Sequence, residues 1–167
     1  MALQGRGHAV TVMTNDHFKG LVEQPGLNFV SIGTAEEYDQ ILNNPDLWDA
    51  RKSTQVFIEL GILAKLSEIY ERIVERYKPG HTVLVATALV PSARIAQEKL
   101  GIPLATVLTQ PIWLRSVYET PKTYPPMPEW IGPWGKRLIY WLFDLAADRT
   151  VGQPLHTFRE TLGLPPV

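Results

Sequence analysis

At 167 residues the chain holds one domain's worth of sequence, enough for a substantial core. Hydrophobic content of 45% and charged content of 20% suit a soluble globular protein, and a formal charge of −1 leaves no basic excess for a nucleic-acid partner. The absence of cysteine excludes a disulfide framework, a thiolate metal site and a thiol nucleophile.

In chain order, Met1 to Gly5 reads as the last turn of a helix capped by Gly5 or Gly7. His8 to Thr14 predicts a strand, with Val10 and Val12 alternating against Thr11 and Met13. Asn15-Asp16 supplies a turn and an N-cap for a short helix to Val22, and Pro25-Gly26 turns the chain into a second strand, Leu27 to Ile32. Asn43-Asn44-Pro45-Asp46 breaks a polar stretch expected to be loop with helical pieces. Ser53 to Tyr77 is the longest helical pattern; Val56, Leu60, Leu63, Leu66 or Ile69, Tyr70, Ile73, Val74 and Tyr77 share a face that packing on a sheet would explain. Lys78-Pro79-Gly80 stops it.

Thr82 to Gln110 organises the chain. The apolar, β-branched run Thr82–Ala86 predicts a strand buried on both faces, Ser92 to Leu100 a helix, and Leu104 to Leu108 a second strand. Gly101 ends the helix with positive φ and Pro103 prevents its continuation. This is a βαβ unit with parallel strands. After Gln110, prolines and aromatics (Trp113, Tyr118, Tyr124, Trp130) mark a long excursion. A helix over Gly135–Ala147, apolar nearly all round, and a last one over Gln153–Leu162 follow.

The string VLVATALVPSARIAQEKLGIPLATV resembles the last βαβ unit in the N-terminal domain of two-domain, B-type nucleotide-sugar glycosyltransferases. The nearest group is the bacterial enzymes that act on sterols, macrolides, glycopeptides and lipids. RGHAVTVMTNDHF with GLNFVSIG, and TFRETLGLPPV, extend the likeness in the family's order. The resemblance implies an α/β, Rossmann-like parallel sheet with helices on both faces, one half of the B-type fold and truncated at both ends. Residues 1–167 would be an incomplete acceptor-binding domain, with a parallel core over 1–110 and the excursion and helices over 111–167. The nucleotide sugar would bind through the missing C-terminal domain, the acceptor would be a hydrophobic small molecule, and no cofactor is expected. The general base would lie in the missing N-terminal segment. In the His-using branch an Asp orients that base from the position of Thr87, so Thr87 points to the Asp-base branch or to an inactive relative.

In an open parallel sheet ligands bind at the carboxyl ends of the strands. This edge, with the resemblance, selects Asn15, His17, Thr87, Thr109, Gln110 and Trp113 as candidate acceptor-binding residues, although turns also favour Thr and Asn. Of the four histidines only His17 lies near that edge, where a surface or helix-capping role competes. No pair of histidines or carboxylates has metal-ligand spacing. The late aromatics are read first as core, second as an acceptor pocket and third, with Lys136 and Arg137, as a peripheral membrane contact. No apolar run approaches the ~20 residues of a membrane span, no signal-peptide core is present, and a cytoplasmic location is expected. The rival class is a non-catalytic Rossmann-like binding module or a pseudo-enzyme partner subunit.

Overall fold

The computed structural model describes residues 2–49, 51–109, 116–118 and 130–165. Short parallel strands alternate with helices, so the α/β class holds. Strand β1 (Thr11–Thr14) leads through a 3-10 turn (Asp16–Phe18) and helix α1 (Lys19–Glu23) to β2 (Asn28–Ser31). Helix α2 (Ala35–Leu42), a 3-10 turn (Pro45–Trp48) and helix α3 (Ser53–Val56) follow, then a π turn (Phe57–Ile62), a 3-10 turn (Leu63–Lys65) and helix α4 (Leu66–Arg76). Strand β3 (Leu84–Thr87), helix α5 (Pro91–Leu100) and β4 (Leu104–Val107) form the expected βαβ unit, and helices α6 (Pro133–Ala147) and α7 (Gln153–Thr161) come last.

Both strand pairs are parallel. Thr11 lies opposite Asn28 and Thr14 opposite Ser31, while Leu84 lies opposite Leu104 and Thr87 opposite Val107. Among the described residues the four strands do not form the single sheet expected from the sequence: β1 pairs with β2, and β3 with β4. Nor is β3 buried on both faces. Leu84 and Ala86 face the core, whereas Val83 and Val85 are 65% and 63% exposed and Val107 continues the bare face. Parallel strands are apolar throughout because helices ordinarily cover both faces. Here only one face is covered among the described residues.

The core lies between α4, α5 and the inner face of β3–β4. Leu66, Tyr70 and Ile73, one turn apart along α4, meet Ala93, Ile95 and Ala96 of α5 and Ile102 of the following loop. The small alanines let the two helices approach closely, and Ser92 Oγ donates to Leu66 O at 2.7 Å across the contact, which satisfies a fully buried hydroxyl. Gly101 closes α5 at φ 69°, as its sequence position requires. Helix α7 adds Leu155, Phe158 and Leu162 to the same core, with Phe158 edge-on to Tyr70 at 5.6 Å, so it packs with the α/β part. Strand β1 reaches this core through Met13.

The helix predicted over 53–77 is interrupted. The π and 3-10 turns between Phe57 and Lys65 shift the helical register, and Phe57 and Leu60 are left exposed while Leu66, Tyr70 and Ile73 are buried. Packing therefore accounts for Leu66, Tyr70 and Ile73 of the apolar face, while Val74 is exposed. The polar stretch holds helical pieces, as expected, and Thr34 and Glu37 form a reciprocal capping box that starts α2.

Candidate functional site

The carboxyl ends of β1 and β2 are tied together by their own turn residues. Asp16 N donates to Gly33 O at 3.2 Å, and Asn15 Nδ2 donates to Thr34 O at 2.8 Å. Asn15 Oδ1 accepts from His17 N at 2.9 Å, so this side chain caps the 3-10 turn and bridges two strand ends at once. His17 is exposed, and its ring lies 4.5 Å from Tyr38 and 5.0 Å from Phe18, between centroids. Asn15 and His17 are thus brought together at one edge, and both make local structural contacts there.

Behind this edge lies a charged cluster that the sequence reading missed. Lys65 Nζ donates to Glu37 Oε2 at 2.7 Å and to Glu68 Oε2 at 3.1 Å, while Glu68 Oε1 accepts from Gly33 N at 3.2 Å and Glu37 Oε2 from Thr34 N at 2.9 Å. Hydrogen bonding from Lys65 and from the Thr34 backbone holds the Glu37 carboxyl below its ordinary value. Burial opposes the charge on Lys65, but its bonds to Glu37 and Glu68 outweigh that and raise its pKa. The Thr34–Glu37 spacing carries a sequence signal for its part of the cluster; nothing in the sequence pairs Lys65 with an element 28 residues away.

Thr87 ends β3 exposed, beside a shallow cavity of about 230 Å³ that also touches Ala88, Pro91, Arg94 and Thr106. Small-molecule sites usually occupy about 300–1,000 Å³. A second hollow of about 290 Å³ lies on the α5 surface at Arg94, Gln97 and Glu98 and shares Arg94 with the first. Among the described residues no hydrogen bond or ion pair joins the Asn15–His17 edge to Thr87. Thr109 is exposed just beyond β4. Gln110 and Trp113 lie outside the described residues.

Most of the described late aromatics are not core, Tyr140 alone among them being half-buried. Trp130 is 84% exposed and Trp134 77%, and Tyr118, Trp141 and Phe143 are also exposed. The α6 sequence is apolar nearly all round, but among the described residues too few elements lie against it to cover that surface. No described helix is long and apolar enough to cross a membrane, and no group of three described His, Asp or Glu residues could hold a metal ion. A scan against known protein families finds no match, and a search of curated proteins finds none either.

Proposed function

We propose that the chain is the acceptor-binding side of a glycosyltransferase that moves a sugar from a nucleoside diphosphate to a hydroxyl of a hydrophobic alcohol. The observation that supports this reading is the pair of parallel strand–helix–strand units in one order, each with small polar residues at its carboxyl end: Asn15 and Thr34 on the first, Thr87 on the second. Inverting transfer needs a base to take the acceptor proton and positive charge to stabilise the departing phosphate. Thr87 cannot serve as an orienting carboxylate, which favours the Asp-base branch or an inactive relative; by the family resemblance, the reading assigns the base and the donor site to other parts of a longer protein. The residues here would orient the acceptor and shield it from water.

Calorimetric titration of this chain with UDP- and TDP-sugars tests the assignment. No tight binding is expected; micromolar binding would mean that the chain is the donor half. In a complete enzyme, Trp113→Ala is expected to raise the acceptor KM or lower kcat with donor binding unchanged. A lower melting temperature with unchanged acceptor KM would remove Trp113 from the site.

Thr87, which cannot carry a negative charge where the His-using branch has its orienting Asp, favours a second reading, a non-catalytic Rossmann-like binding module or a pseudo-enzyme partner subunit. The genomic sequence on either side separates the two. An upstream strand with an Asp- or His-bearing loop and a downstream nucleotide domain support the enzyme.

A further inference from the structure

The hollow beside Thr87 has a lining that selects a ligand by charge. It lies between the start of α5 and the carboxyl ends of β3 and β4, where Ala86 stands opposite Thr106 in register. Ala86, Val90 and Leu104 give it apolar walls, and Thr87 and Thr106 add two hydroxyls. Arg94 is the charged residue in that lining.

The Arg94 guanidinium is exposed and makes no hydrogen bond or ion pair with the described residues. Glu98, one turn further along α5, is close enough for the two charges to feel each other. Its carboxylate is nevertheless committed elsewhere, because Arg159 donates to both oxygens at 2.6 and 2.8 Å. Arg94 therefore keeps its fork of N–H donors and its positive charge for a ligand. Glu98 also decides on which side of Arg94 an anion can sit. The second hollow is lined by Glu98 and Gln97 beside Arg94, so a carboxylate there would meet a like charge. The Thr87 hollow has no carboxylate in its lining.

We propose that the Thr87 hollow is a subsite for a carboxylate or phosphate group, held by Arg94 with hydrogen bonds donated by the Thr87 and Thr106 hydroxyls. The acceptor is accordingly an alcohol that joins an acid group to an apolar body. The acceptor's identity rests on the glycosyltransferase reading above, whereas the anion subsite does not. A guanidinium matches the two-oxygen edge of such an anion with paired, charge-assisted hydrogen bonds. At about 230 Å³ the hollow suits an acid group and a short stretch of its apolar body, and is too small for a nucleotide sugar.

Amide chemical-shift titration of the full chain with ω-hydroxyoctanoate, its methyl ester and inorganic phosphate is the test. The acid is expected to shift Thr87, Ala88 and Thr106 saturably. The ester and inorganic phosphate should each bind at least about tenfold more weakly, since one lacks the charge and the other the apolar body. Arg94→Gln should weaken the acid by about tenfold and leave the ester unchanged, and Arg94→Lys should recover only part of the loss. Because Arg94 is exposed, both variants should melt like the wild type. Equal binding of acid and ester, wild-type affinity in Arg94→Gln, or shifts confined to Gln97 and Glu98 would overturn the subsite. Inorganic phosphate binding as tightly as the acid would overturn the acceptor assignment, since the occupant is then a free anion. In a complete enzyme the acid should accept sugar with a lower KM than the ester. Transfer to both at equal KM would overturn the role of the acid group. No transfer to either, with the titration as expected, would sink the glycosyltransferase reading and leave the anion subsite standing.

Discussion

Gly33 shows how much one backbone position decides. Its φ is +76°, and a Cβ there would lie 2.6 Å from Glu37 Oε2 and 2.9 Å from Lys65 Nζ. Gly26 shares φ +76° but has nothing within 4 Å of the same point. Both Gly→Ala changes incur the left-handed penalty of about 1–2 kcal/mol; Gly33→Ala also displaces the Lys65 cluster and is expected to lower the melting temperature further. Equal losses would show that the cluster yields without cost. The same cluster sets a pH dependence. Because the folded Glu37 carboxyl titrates below its unfolded value of about 4.3, its contribution is present above that pH and is lost as the pH falls through the folded value. The melting temperature of the wild type should therefore fall more than that of Glu37→Gln between about pH 5 and pH 3. Parallel curves would remove Glu37 from the acid response. The Thr34-x-x-Glu37 spacing is a local capping signal, but Lys65 and Glu68 come to it only because the chain leading into α4 passes behind the end of β2.

At the scale of elements, α7 is joined to α5 by Arg159, which is buried and donates through Nη1 and Nη2 to the Glu98 carboxylate at 2.6 and 2.8 Å. Nε and Nη2 also donate to Pro165 O at 3.0 and 2.8 Å, and Lys99 Nζ donates to Leu162 O at 2.6 Å. Charge-assisted, forked hydrogen bonds of this kind depend on the planar guanidinium. Arg159→Ala is expected to cost about 2–3 kcal/mol, and Arg159→Lys to recover less than half of that. Denaturant titration measures both; full recovery by Lys would show that charge alone matters. Amphipathic spacing places α7 in the sequence, but Arg159 and Glu98 stand 61 residues apart and nothing local pairs them.

For the whole molecule, the buried side chains are unevenly shared. The α4–α5–β3–β4 layer holds the packed core, while the β1–α1–β2 unit buries only Val22 and Val30 and reaches that core through Met13. Such a unit opens locally before the whole fold does. Backbone amides of Val12, Met13 and Val30 are expected to exchange at least about tenfold faster than those of Ala86, Ile95 and Ala96. Uniform protection across both strand pairs would show one cooperative unit.

The sequence by itself determined what depends on neighbours in the chain. Short β-branched runs, Gly101 with Pro103, and the three- and four-residue apolar steps placed β3, α5, β4 and α7, and a helix between the strands of each pair gives the crossover that parallel pairing needs. Tertiary structure alone decided which apolar residues are covered. Val85 and Ala86 are both apolar neighbours in one strand, and only the side on which α4 and α5 lie buries Ala86. Likewise α6 is as apolar as a core helix, yet Trp134, Leu138 and Trp141 are exposed because no described element covers them. Burial is a property of what stands opposite a side chain, and local sequence carries no record of that.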